Sequence, residues 1–220
     1  MIKKTLKLIL GILFLPAVIF AVINFCKEIT DIPTLTPAQA MFMYGFAAYV
    51  GIHIFIYKLD FLYVFGHEST HALTAKLFGG KIFSFKVSSK GGSVKTDKAN
   101  TSIALMPYLF PFYALVVCLV YAVFSLFRDV RPYVGQFVFA LGMSLSFHLV
   151  QTAEFLRQKQ SDIVKSGYVF SMPLIILVNI AIIGGILSLM FIEFSFKDMA
   201  ISTFQQTRDL YWQVWKQLFG

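Results

Sequence analysis

Charge is what this sequence has least of. Only 14% of its 220 residues are Asp, Glu, Lys or Arg, whereas a soluble domain is nearer a quarter charged. With 58% hydrophobic residues alongside, this scarcity excludes an ordinary water-soluble fold and indicates a membrane protein. Acids are scarcer than bases, 11 against 19, which leaves a net charge of +8. The excess is scattered through connecting segments and forms no basic patch interleaved with aromatics, so no nucleic-acid partner is expected. The basic residues read instead as topology signals and lipid-headgroup contacts. There are two cysteines, Cys26 and Cys118, in or beside apolar runs and with no histidine at ligand spacing. That excludes a disulfide framework and a thiolate zinc site. Internal repeats and low-complexity tracts are lacking, and the connecting segments are too short to hold an inserted soluble domain.

What is present is a series of apolar runs, each near the roughly 20 residues needed to cross the hydrocarbon core as a helix. The expected fold class is an all-α polytopic membrane protein of about six transmembrane helices, multi-pass in the cell membrane. Its spans are placed at 8–26, 38–57, 61–78, 101–127, 134–156 and 166–192. The first follows "MIKKTLK" but has no small-residue cleavage site after it, so it reads as a retained anchor. Pro33 and Pro37 break the link that follows, and Gly79-Gly80 is expected to stop the third helix. After it, Phe83, Phe85 and Val87 alternate with Ser84, Lys86 and Ser88, and Lys90-Gly91-Gly92 supplies a turn. Period two predicts a short β-hairpin over 82–97. Pro107 and Pro111 predict a kinked or unwound fourth span. The expected division is a membrane-embedded domain over 1–195 and an amphipathic interfacial helix over 196–220. In the latter Phe204, Tyr211, Trp215 and Leu218 recur at helical spacing and Trp212 and Trp215 lie at headgroup level.

The third span is unusual, because "YVFGHESTHALTAKLFGG" puts a carboxylate and two histidines where charge is costly. Residues four apart on a helix are separated by about 40° around its axis, so His67 and His71 share one face and can present two imidazoles to one metal ion. Glu68 projects from nearly the same side, placed to take a proton from a metal-bound water. H-E-x-x-H is therefore read as a zinc hydrolase signature, with Zn2+ as the expected cofactor.

Catalytic zinc takes three protein ligands, and the candidates for the third are Asp162, Glu154, His148, Asp97 and His53. Asp162 stands between spans five and six, where a carboxylate can point back toward the site. His148, Gln151 and Glu154 or Phe155 form one stripe of span five that reads as possible support behind the ligands or as part of a substrate path. His53 reads as structural.

The stretch "FGHESTHALTAKLFGGKIFSFKVSSKGGSV" resembles the zinc-binding helix and following β-hairpin of the site-2 protease family of intramembrane metalloproteases, in particular its small bacterial members without a PDZ domain. The resemblance covers about 30 residues. It implies zinc, two His ligands, a distant Asp ligand on a later span and Glu as general base, which on this chain become His67, His71, Asp162 and Glu68. It also implies a membrane protein or membrane-anchored peptide as substrate, cut within or beside the bilayer. Family members usually carry the aspartate in N-P-D-G or L-D-G, whereas Asp162 stands in "QSDIVKSG". Asn100, Pro107 and Pro111 in "NTSIALMPYLFPFY" occupy the region where the family lines its substrate path.

Two rival readings stand beside this one. Metal-ion transporters of the ZIP type carry similar motifs, but with proline inside them and a paired site on the next helix. CaaX-type membrane metalloproteases use a glutamate as third ligand, for which Glu154 or Glu193 would serve. Orientation stays open, because Lys3, Lys4 and Lys7 favour a cytoplasmic N-terminus while six lysines between 76 and 98 favour a cytoplasmic hairpin.

Overall fold

The structure, a computed structural model, describes residues 4–30, 32 and 34–220. Lys3 and Pro33 lie outside the described residues. Over the described residues the chain is mostly helical, with one small antiparallel hairpin, and divides into two compact units.

One unit combines the chain up to Thr34 with Gly167–Gly220. It contains α1 (Lys4–Thr30), α8 (Tyr168–Met190) and α9 (Phe196–Phe219). Gly11 of α1 lies against the backbone of Val169, and Phe25 meets Phe194 edge-on, so α8 rises alongside α1 in the same direction. α9 then runs back along α1. Its start is tied down by the Glu28 carboxylate, which accepts from the Ser195 N–H. Asn24 donates to Thr203 and Gln206, and the Tyr211 hydroxyl donates to the Leu13 carbonyl. Sixteen residues of α9 thus follow α1 from Glu28 back to Leu13, about 22 Å at 1.5 Å per residue.

The second unit, Leu35–Ser166, carries the H-E-x-x-H motif. Its helices are α2 (Pro37–Phe55), α3 (Asp60–Leu77), α4 (Thr101–Leu109), α5 (Phe112–Ser125), α6 (Val134–Leu156) and the short α7 (Ser161–Ser166). α2 starts at a capping box in which Thr36 accepts from the Gln39 N–H and the Gln39 side chain accepts from the Thr36 N–H. α2 and α6 pack at the distance small residues permit. A Cβ on Gly45 would lie 1.9 Å from the Phe139 carbonyl oxygen, and one on Gly142 would lie 2.2 Å from that of Phe42. Backbone cannot yield as a side-chain tip can, so Gly45→Ala is expected to lower stability by about 1–3 kcal/mol. Thermal unfolding in detergent checks this, and an unchanged midpoint would mean that α2 and α6 are not in contact there. Below the glycines, Tyr49, Tyr63 and Phe147 form an aromatic core flanked by Tyr113 and Phe155, which fixes α3 against α2, α5 and α6.

Among the described residues four helices are long and apolar enough to cross a membrane: α1, α2, α6 with the turn before it, and α8. The run expected as one span over 101–127 is two helices, α4 and α5, bent by 69° at Phe110–Pro111; counted as one broken span, it makes five. The break falls where Pro111 removes a backbone donor, whereas Pro107 sits inside α4. α3 closes at Gly79 (φ 72°) and passes into strands β1 (Ile82–Ser88) and β2 (Gly91–Thr96), so the expected hairpin is present. Its register pairs Phe85 with Val94 and Val87 with Gly92, with an irregularity between Ile82 and Ser84. Phe85 meets Phe65 of α3 edge-on.

Candidate metal centre

Helical spacing alone brings His67 and His71 together, with ring centroids 4.8 Å apart. The third group arrives from 91 residues away. Asp162 lies in the first turn of α7, a helix anchored by the fully buried Ile163, and its Oδ2 is 3.3 Å from His71 Nε2 and 3.8 Å from His67 Nε2. Burial by itself would raise the Asp162 carboxyl. The contacts from the two imidazoles outweigh it and hold the group well below the usual carboxylate range. Among the described residues this is the one group of three His, Cys, Asp or Glu side chains arranged to hold a metal ion, with ligand atoms all within 4.8 Å of one another.

Two imidazoles and a carboxylate are a donor set of the kind zinc takes. Ligand atoms about 2.0–2.2 Å from a tetrahedral zinc stand roughly 3.4 Å apart; the two His–Asp separations are 3.3 and 3.8 Å, and the third pair lies within 4.8 Å. His71 Nδ1 lies 2.8 Å from the Ile103 carbonyl, which can only accept, so Nδ1 carries the proton and donates it. Nε2 then faces the Asp162 carboxylate either as the N–H of an imidazolium paired with it or as a lone pair left for a metal ion.

The supporting residues fall into place around this. Asn100 caps α4, its side chain accepting from the Ile103 N–H at 2.8 Å. It thereby sets the turn whose carbonyl orients His71, a link that capping preference makes visible in the sequence only once α4 is known to pack on α3. Thr70, 1% exposed, donates to the Gly66 carbonyl at 2.8 Å. Pro107, Tyr113, Phe147 and His148 line a small cavity beside the His67 ring.

Glu68 is 7% exposed and lies under β2. A Cβ on Gly92 would stand 2.5 Å from Glu68 Cγ and 2.9 Å from Oε1. Glycine at 92 is therefore what lets the hairpin pack down on this carboxylate. Spacing places Glu68 beside the histidines but gives no hint of that cover.

Other candidates lie elsewhere. Glu154 pairs with Lys58 and, at 3.0 Å, with His53 Nε2, so both His53 and Glu154 are engaged away from His67 and His71. Gln151 is fully buried beside Tyr49. Asp97 accepts from the Lys81 N–H at the base of the hairpin. Comparison of the chain with protein-family models, with curated proteins and with solved structures gives no match.

Proposed function

We propose that this chain is an intramembrane zinc metalloendopeptidase that hydrolyses peptide bonds of membrane-anchored substrates within or beside the bilayer. The observation that carries the proposal is the return of Asp162 onto the Nε2 atoms of His67 and His71, completing on a distant helix what H-E-x-x-H begins. In this reading α3 enters the membrane beside the bent pair α4 and α5; because α8 runs in the direction of α1, α3 and the bent pair do not both cross it as separate spans.

A zinc ion held by His67, His71 and Asp162 supplies Lewis acidity toward water and a carbonyl oxygen. Glu68, one residue past His67 and outside the three-ligand group, takes a proton from the attacking water and returns it to the leaving amine. The hairpin over Glu68 limits bulk water at that carboxylate, and the break at Phe110–Pro111 leaves irregular backbone near the site. A transmembrane helix hides its peptide bonds in its own hydrogen bonds, so a substrate must unwind, and a strand edge of the hairpin offers it new partners.

The test is metal analysis of detergent-purified protein together with cleavage of membrane-anchored reporter substrates. One zinc per chain and metal-dependent cutting are expected; neither metal nor cutting would end the reading. The cover over Glu68 gives a sharper expectation. Gly92→Ala must push β2 off the carboxylate, and a misplacement of about 1 Å costs on the order of 10²-fold in rate. Zinc content should be unchanged, because the atoms nearest a Cβ at 92 belong to Glu68 and Lys86 and not to the three ligands. Full activity in this variant would mean that the hairpin plays no part in placing the base.

A further inference from the structure

The two histidines of the motif are not supported alike. His71 Nδ1 has the Ile103 carbonyl at 2.8 Å. His67 Nδ1 is buried and has no hydrogen-bond partner among the described residues. An imidazole that gives one nitrogen to a metal nearly always donates the other N–H to a carboxylate, a carbonyl or a water, and a buried N–H left without a partner is costly.

The His67 ring also lines a cavity of about 20 Å³. A space of this size admits a water. The walls are mainly aromatic and apolar, and their polar groups can be taken in turn. The Tyr113 hydroxyl is used, donating to the Leu62 carbonyl at 2.6 Å. The Tyr63 hydroxyl, buried and without a hydrogen-bond partner among the described residues, lies near Thr152 of α6. Thr70 spends its proton on the Gly66 carbonyl, which leaves its oxygen free to accept. His148, 6% exposed, brings an imidazole from α6.

We infer that this cavity holds one ordered water, which accepts the His67 Nδ1 proton and donates to Thr70 Oγ and to the His148 ring, making His148 a positioning residue for a metal ligand. A water needs two to four polar partners, and this assignment gives it three with every donor matched to an acceptor. Its effect is to fix the His67 tautomer with the proton on Nδ1, so that a lone pair on Nε2 is left for the metal ion on the side of Asp162. The inference rests on the metalloprotease reading and adds to it the role of a residue outside the motif.

The test is zinc affinity, measured by chelator competition on the full chain in detergent, with the unfolding midpoint of zinc-free protein measured alongside. His148→Phe keeps an aromatic ring but cannot accept a hydrogen bond. It is expected to weaken zinc binding 10- to 100-fold, the usual cost of losing such a partner, with the zinc-free midpoint little changed. His148→Asn restores an acceptor and should recover part of the loss, which a purely structural role would not produce. If His148→Phe does not fold, Thr70→Val removes the second acceptor at nearly constant shape and should weaken zinc in the same direction. Zinc affinity within twofold of the unaltered chain in whichever of these variants folds would overturn the inference and leave the protease reading standing. An unaltered chain that binds no zinc would overturn both.

Discussion

Glu68→Gln should retain one zinc per chain and lose cleavage by a factor of about 10² to 10⁴, the usual contribution of a positioned general base. Glutamine has the shape of glutamate and fits the same space under Gly92, so the hairpin need not move. What it lacks is the ability to take a proton. The three ligand atoms belong to His67, His71 and Asp162, so the charge removed is not one that holds the metal. The two readouts separate the possible roles of the residue. Zinc lost together with cleavage would make Glu68 a ligand, and cleavage retained with zinc would remove it from the chemistry. The zinc content of this variant therefore matters as much as its activity.

How much of this was legible beforehand differs from element to element. The hairpin at 82–96 could be read because alternation and a Gly-Gly turn are local signals, and the hydrogen-bonded register follows them. The break in the fourth span was legible for the same reason: proline removes a backbone donor wherever it stands, although sequence alone did not say whether Pro107 or Pro111 would set the break. His67 and His71 were legible because helical geometry puts residues four apart on one face. Asp162 was only one of five candidates, since nothing local says that a six-residue helix after α6 will turn its first carboxylate toward α3. The structure separates them by partners, as Glu154 and His53 are taken up by each other and by Lys58. Least legible were contacts made by absent side chains. Gly45 on Phe139 and Gly92 on Glu68 are places where the sequence shows only glycine and the meaning lies in what comes close. Asn100 is intermediate, a cap recognisable by type whose use to hold the Ile103 carbonyl for His71 depends on tertiary packing.

Asp162→Ala should reduce zinc affinity by at least about 100-fold, the upper end of what loss of an outer-shell partner costs, because a ligand is removed outright. The fold should survive it. α7 is held by Ile163 and Ser166, both buried, while the Asp162 side chain is 23% exposed and its polar contacts are the two histidines. The informative comparison is with Glu154→Ala. If a glutamate were the third ligand, as in the CaaX-type rival, zinc would be lost in Glu154→Ala and kept in Asp162→Ala. The opposite is expected, because Glu154 is bound to Lys58 and His53 and removing it should loosen that end of α2 and α6 without touching the metal. A double variant, His71→Ala with Asp162→Ala, closes the argument. Groups serving one ion do not act independently, so the second substitution should cost much less than it does alone. Additive losses of zinc affinity would mean that the two residues do not serve one ion.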